Sequence, residues 1–392
     1  MKYVSVQDLV EQNQVVIKTG PFGTQLKASE YVSFGTPVLN VRNLGFATVN
    51  TDKLEMVSDG TLERLSAHKL VTGDIVFGRK GAVERHAFIS ESENGWMQGS
   101  DCIRLRVLAD SVNPRFLSYY FLTKRHRAFM MSMCSHGTTM ASLNQKIIEK
   151  IIVPLPERSI QDKVVEILAT LDKQIATNQK INENLEQQAK ALYQQMFIEN
   201  TSPDWVEGSL RDIADITMGQ SPSGSSYNED GIGAIFFQGR AEFSFRFPTI
   251  RLYTTEPKRM ACANDILMSV RAPVGDLNIA HTDCCIGRGL AAIHSKTNHQ
   301  SFVLYTMFSL RKQLDVFNGE GTVFGSINRN SLNDMPILIP SDETIEEFER
   351  IVAPMDAAIR NNYDEICRLQ AIRDTLLPRL MSGELDISEL DI

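Results

Sequence analysis

The strongest constraint on this chain is that its sequence is written twice. Gly137-Thr138-Thr139-Met140-Ala141-Ser142-Leu143-Asn144 matches Gly321-Thr322-Val323-Phe324-Gly325-Ser326-Ile327-Asn328, with Gly, Thr, Ser and Asn identical in place at an offset of 184. The same offset aligns Leu155-Pro156 with Ile339-Pro340 and Leu171-Asp172 with Met355-Asp356. Further upstream, Gly73-Asp74-Ile75-Val76-Phe77 resembles Asn264-Asp265-Ile266-Leu267-Met268 at an offset of 191, so the first part of each repeat tolerates length changes. A period this long describes a duplicated domain plus helix rather than a solenoid of short repeats.

The second part of each repeat is a heptad seam. Val164, Leu168, Leu171, Ile175, Asn178, Asn182, Leu185, Ala189, Leu192 and Met196 alternate spacings of four and three. Phe348, Val352, Met355, Ile359, Asn362, Ile366, Leu369, Arg373, Leu376 and Leu380 repeat the register. A 3.5-residue period specifies a coiled coil. Two such helices in one chain are expected to pair antiparallel. Pro154, Pro156 and Pro340 precede the helices, and Pro378 is expected to kink or end the second one. Asn178 and Asn362 occupy equivalent seam positions and are candidates for fixing the register of the coil.

The first part of each repeat mixes short apolar runs with single helical stretches. Pro37–Val41, Asp74–Phe77 and Cys102–Val107 read as strands, and Pro114–Leu122 and Ser301–Phe308 as helices. The expected architecture is therefore mixed α/β: two tandem α/β domains separated and joined by two long helices that form an antiparallel coiled coil, with an internal pseudo-two-fold repeat. The boundaries fall at 1–156 (first domain), 157–200 (central helix), 201–340 (second domain) and 341–392 (C-terminal helix and tail).

Charge needs to be read by segment. The chain of 392 residues carries a net charge of −8. Residues 1–156 hold 18 basic and 14 acidic side chains, whereas 341–392 hold 5 and 13. Acid concentrates in the tail, so the total does not exclude a polyanionic partner. No apolar run is long enough to span a bilayer. The six cysteines, Cys102, Cys134, Cys262, Cys284, Cys285 and Cys367, contain no C-x-x-C pair, which suits a reducing cytoplasm rather than a disulfide or zinc framework.

Catalytic signatures are missing. No Gly-Lys dipeptide exists to build a P-loop, no H-E-x-x-H to bind zinc and no G-x-S-x-G nucleophile elbow. No Asn-Pro-Pro-aromatic or Asp-Pro-Pro-aromatic tetrapeptide of the amino-methyltransferase type is present. Pro203-Asp204 and Glu256-Pro257-Lys258 mimic a nuclease pattern, but Pro257 would interrupt the strand it needs and the first repeat has no counterpart. The expectation is a binding protein without catalytic residues, metal or cofactor of its own.

Taken together, the duplicated Gly-Thr-x-x-x-Ser-φ-Asn core (φ apolar), the following φ-x-φ-Pro and the two heptad helices resemble the specificity subunits of type I restriction-modification systems. Glu157-Arg158-Ser159-Ile160-Gln161 and Leu376–Leu385 add to the likeness, which covers nearly the whole chain. The resemblance implies two target recognition domains, each reading half of a bipartite asymmetric site in double-stranded DNA. It implies that the helices set the spacer and dock two modification subunits. S-adenosylmethionine would then sit on those methyltransferase subunits, and ATP, Mg and cleavage on a motor-nuclease restriction subunit. The competing reading is a two-domain protein scaffold without DNA readout.

Base reading needs forked donors or amides on accessible loops: Arg or Lys for guanine, Asn or Gln for adenine. Arg79-Lys80 with nearby Arg85 follows a strand, and Arg271 follows its counterpart. Lys18-Thr19-Gly20 and Gln220-Ser221 lie in equivalent glycine loops. Arg42-Asn43 and Gln238-Arg240 follow apolar runs. His136 borders the repeated core, whereas Ser142, Asn144, Ser326 and Asn328 are expected to be structural.

Overall fold

A computed structural model describes residues 2–21, 23–134, 141–319 and 325–390. The chain divides into two compact units, Met1–Thr177 with Glu365–Ile392, and Asn178–Asp364.

In the first unit the strands are β1 (Tyr3–Ser5), β2 (Val15–Thr19), β3 (Tyr31–Val32), β4 (Thr36–Leu39), β5 (Glu55–Val57), β6 (Ile75–Gly78), β7 (His86–Phe88), β8 (Met97–Gln98), β9 (Cys102–Val107) and β10 (Ile152–Pro154). They form an antiparallel sheet of order β2-β9-β6-β7, a second sheet β3-β5-β4-β8 in which β4 and β8 run parallel, and the pair β1-β10. Every residue of β6 is buried. Ile75 and Phe77 face one core, with Phe116, Leu117 and Tyr119 of the helix Pro114–Phe121, while Val76 faces another with Leu39 and Leu70. Burial on both faces explains why these strands read as unbroken apolar runs instead of alternating ones.

The second unit repeats this plan with β11 (Val206–Ser209), β12 (Ala214–Met218), β13 (Tyr227–Asn228), β14 (Ala234–Phe237), β15 (Leu252–Thr254), β16 (Met260–Ala261), β17 (Ile266–Ser269), β18 (Leu277–Ile279), β19 (Cys284–Ile286), β20 (Leu290–Ser295) and β21 (Pro336–Ile339). Its sheets run β12-β20-β17-β18 and β13-β15-β14-β19-β16, with β11 paired to β21. Strand β16 is the addition. Ile266 and Met268 share one core and Leu267 another, as in β6. The 191-residue offset holds at backbone level: Gly73 and Asn264 both adopt positive φ, 90° and 73°. Glycine and asparagine are the residues that reach this region at least cost.

The long helices span Arg158–Tyr193, extended by a π turn over Gln194–Glu199, and Asp342–Ser382. They run antiparallel within each unit. In the first, Val164 and Leu168 share a core with Leu377, Leu380 and Met381, and Arg373 Nη1 lies 3.1 Å from Asp172 Oδ1. In the second, the rings of Tyr193 and Phe197 stand 5.8 and 5.2 Å from that of Phe348. The expected seam residues are the buried or half-buried ones. Two details differ from expectation. The C-terminal helix passes through Pro378 and ends four residues later, because surrounding core contacts outweigh the one missing N–H. Asn178 is half-buried, and Asn362 pairs across the seam with Asn182, a seam residue not expected to fix the register. The Asn362 Nδ2 donates to Oδ1 of Asn182 at 2.8 Å, and the buried Asn182 donates to the Ile359 carbonyl at 3.2 Å.

Each globule is tied to a long helix by one tyrosine. The Tyr119 hydroxyl donates to Asp172 at 2.7 Å, and that of Tyr305 to Asp356 at 3.0 Å.

Candidate nucleic-acid interface

In both units the loops at one edge of the sheets are knitted into a junction by backbone hydrogen bonds. In the first unit Gly20 N donates to Cys102 O, Gly99 N to Leu39 O, Arg79 N to Asp101 O, and Leu143 N to Arg79 O, all at 2.8–2.9 Å. Five separate chain segments therefore meet: the ends of β2, β4 and β6, the segment 99–102 leading into β9, and the repeated core at 142–144. In the second unit Gly219 N donates to Leu290 O, Gly287 N to Phe237 O, Val270 N to Gly289 O, and Ile327 N to Val270 O, at 2.8–3.0 Å. The two isolated bridges Lys80–Ser142 and Arg271–Ser326 are equivalent, and both place a basic residue opposite the serine of the repeated core. Asn144 and Asn328 cap the helices Gln145–Glu149 and Arg329–Asn333, accepting from Ile147 N at 3.0 Å and Ser331 N at 2.9 Å.

The glycines serve close packing. A Cβ on Gly20 would lie 1.9 Å from Gly99 O, and one on Gly219 would lie 2.1 Å from Gly287 O. Gly20 is buried, so it shapes the junction and presents little surface to a ligand. Lys18 and Thr19 are half-buried, with the Lys18 carbonyl accepting from Gln98 Nε2 at 2.9 Å and Thr19 Oγ1 accepting from Gln145 Nε2 at 3.1 Å. Asn43 leaves the candidate set. It is fully buried, its Oδ1 accepts from Asn40 N, and its Nδ2 donates to the carbonyls of Asn50 and Asp52, so no amide group remains to read a base.

The exposed candidates are mostly in ion pairs at the surface. Arg42 lies 3.0 Å from Glu55, Lys80 3.8 Å from Asp101, Arg85 3.9 Å from Glu84 and Arg240 2.5 Å from Asp276. Exposed pairs contribute about 0–1 kcal/mol, so exchanging a carboxylate for a phosphate costs little. Arg79 is half-buried, whereas Gln220, Gln238 and Arg271 are exposed. No ion pair involves Arg271 among the described residues. Ser221 Oγ accepts from Arg288 N at 3.2 Å. His136 lies outside the described residues.

Sequence reasoning missed two features. Arg288 is exposed in the loop joining β19 to β20, inside the second junction, where the first unit has Ser100. Phe46, 43% exposed, lies between Arg85 and Arg127, whose guanidinium carbons stand 5.6 and 5.5 Å from its ring centre. Among the described residues no group of His, Cys, Asp and Glu side chains could hold a metal ion, and no helix is long and apolar enough to cross a membrane.

Comparison with known proteins identifies what this duplicated junction belongs to. Residues 17–187 and 203–367 each match the type I restriction modification DNA specificity domain. The chain belongs to this family of type I specificity subunits. The type I restriction enzyme MjaX specificity subunit of Methanocaldococcus jannaschii is 28% identical, over 97% of this chain and 93% of that one. The HindI specificity subunit of Haemophilus influenzae is 21% identical over 80% of this chain and 86% of its own length. The fold is shared with the type I restriction-modification system S subunit from M. genitalium, at TM-score 0.62 and 14% identity over 99% of this chain and 96% of that one. A specificity subunit is not itself an enzyme: methylation and cleavage are carried out by other subunits of the system. The two matched segments begin in β2 and just before β11, so each contains one whole junction.

Proposed function

We propose that this specificity subunit reads a bipartite asymmetric site in double-stranded DNA, one half-site per junction. The observation that carries the reading is the paired bridge, Lys80 on Ser142 and Arg271 on Ser326, which sets a basic side chain at the same place in each unit. Residues 1–156 and 201–340 act as target recognition domains, and 157–200 and 341–392 as the spacer helices. Direct contacts come from Lys80, Arg79, Arg42 and Arg85 in one half, and from Arg271, Arg240, Gln238, Gln220 and Arg288 in the other. Arginine and lysine suit guanine edges and phosphates, and glutamine suits adenine. The partners in this reading are two modification subunits, which bind S-adenosylmethionine, and one restriction subunit, which consumes ATP with Mg, in a cytoplasmic complex.

Net charge shapes the expected affinity. The second domain carries 12 basic and 14 acidic side chains, so the isolated chain makes few phosphate contacts and binds weakly at physiological salt. The test is a mobility shift on genomic fragments with and without modification subunits, followed by methylome sequencing. A methylated bipartite motif that appears only when this chain is present supports the reading. Complex formation with no sequence preference overturns it in favour of a scaffold.

A further inference from the structure

The repeat also duplicates a cleft remote from the loop junctions. In the first unit a cleft of about 810 Å³ lies between the turn after the helix Pro114–Phe121 and the last turns of the C-terminal helix. In the second unit a cleft of about 710 Å³ lies between the turn after the helix Gln300–Ser309 and the last turns of the central helix. Their linings correspond in part, around the turn after the shorter helix, while Lys190 of the second cleft stands where the first has Asp374. Leu122, Thr123 and Arg125 in one stand where Phe308, Ser309 and Arg311 stand in the other, and Leu377 stands where Tyr193 does. Local geometry confirms this alignment: Thr123 Oγ1 donates to Tyr120 O and Ser309 Oγ to Thr306 O, both at 2.7 Å.

Both clefts are basic in a chain whose net charge is −8. Five cationic side chains face two carboxylates in the lining of the first; in the second three cations line the cleft, each in an ion pair, Lys190 with Glu186 and both Arg240 and Arg311 with Asp276. Lys124 and Arg125 are exposed, and no ion pair involves either among the described residues. Apolar and aromatic side chains make up most of the remaining wall of the first cleft, whereas in the second they alternate with Gln194, Ser244, Asn278 and Ser309. A partner present as two identical copies must find the same contacts twice, and it can use only what the halves share. The shared elements here are an arginine at the rim, a hydroxyl beside it and an apolar floor.

We propose that these clefts are the two seats of the modification subunits, each receiving an acidic segment that also carries an apolar side chain. The proposal rests on the functional reading above and adds the place and chemistry of docking. Charge complementarity selects the acidic segment, and the duplication selects a partner present in two copies. The concave shape and apolar floor fit a protein segment better than a DNA backbone.

Native mass spectrometry and titration of the full-length chain with purified modification subunit test it. The unsubstituted chain is expected to take two subunits. Arg125→Glu is expected to weaken one binding event at least tenfold, Arg311→Glu the other, and the double variant both. Because Arg311 also pairs with Asp276 and Asp315, Leu122→Asp and Phe308→Asp form a second set, used with circular dichroism melting to confirm folding. Two subunits bound with unchanged affinity by the folded double variants would overturn the proposal. So would reduced DNA affinity of the free chain with unchanged subunit binding, which would make the clefts phosphate sites. If the unsubstituted chain takes no modification subunit at all, the functional reading falls, and the cleft proposal falls with it.

Discussion

The two units share a plan but satisfy their buried polar groups differently. In the first, Asp172 accepts from the buried Tyr119 and lies within reach of Arg115 and Arg373, the three charged side chains being partly exposed. In the second, Arg246, only 3% exposed at its side chain, bonds to Tyr305 and Asp356 and lies 3.2 Å from Glu186. Burial works against its charge, but Asp356, Tyr305 and Glu186 outweigh that and hold the guanidinium above its usual pKa. Arg246 also sits at φ 64°, a left-handed conformation that a non-glycine residue keeps only when its surroundings over-determine it. The first unit instead buries histidines: His68, His86 and His126 are all buried, whereas His281, His294 and His299 of the second unit are not. One fold therefore tolerates either a buried ion cluster or buried imidazoles.

The largest expected effect breaks the ion cluster. Asp356→Ala leaves Arg246 with Glu186 as its one carboxylate and the Tyr305 hydroxyl as its hydrogen-bond partner, and should destabilise the second unit by about 3 kcal/mol, the low end for breaking a buried ion pair. Asp172→Ala in the half-exposed counterpart should cost about 1 kcal/mol. Urea unfolding followed by hydrogen exchange in each unit measures both, and equal losses would refute the contrast.

Acid should separate the units next. Desolvation, with repulsion from His126 and Arg115, lowers the pKa of His86 to about 3, and desolvation lowers that of His126 to about 3. A depressed imidazole pKa means that the unfolded chain binds more protons between about pH 6.5 and 3, so stability falls as the pH drops through that window and is flat above it. At pH 5 each histidine should cost roughly 2 kcal/mol relative to pH 7. Protection from hydrogen exchange, corrected for intrinsic rates, should fall more in the first unit. His126→Phe should remove about half of the difference.

DNA contacts come third. Replacing Arg79 and Lys80 with Ala, or Arg271 with Ala, should weaken binding by about 1–3 kcal/mol per base-reading contact. A phosphate contact would instead lower the salt slope by about one. Each set should disturb one half of the methylated motif only. Loss of both halves from either set would show that the units do not read independently.

These contrasts mark how far the sequence could be read. The heptads named the helices and their buried faces because a seam at 3.5 residues has no other use. The strands buried on both faces announced themselves as apolar runs. Of the second sheet only β4 did: β3, β8, β13 and β16 are two residues long, too short for any periodicity to register. Arg271 and Lys80 were legible because the repeat aligned them, but Asn43 and Arg42 look equally polar in sequence, and only burial separates a structural amide from an exposed guanidinium. Arg246 was illegible for the opposite reason, since its partners lie 60 and 110 positions away in the chain.

The smallest expected effect concerns the polar layer of the coil, which also divides the units. Asn182 and Asn362 hydrogen-bond across the seam of the second unit, whereas the first unit fills its seam with Val164, Leu168, Ile175 and Ile366. A buried amide pair contributes little net stability, because its hydrogen bond replaces two bonds to water, but removing one member strands the other. Asn362→Ala should therefore cost about 1 kcal/mol, and the double change to Leu should be neutral or stabilising. If the pair fixes register, the double Leu variant should keep its melting temperature yet broaden the distance distribution between spin labels placed on the two long helices within the second unit. A narrow, unchanged distribution would mean that packing at Phe348 and Tyr193 sets the register alone.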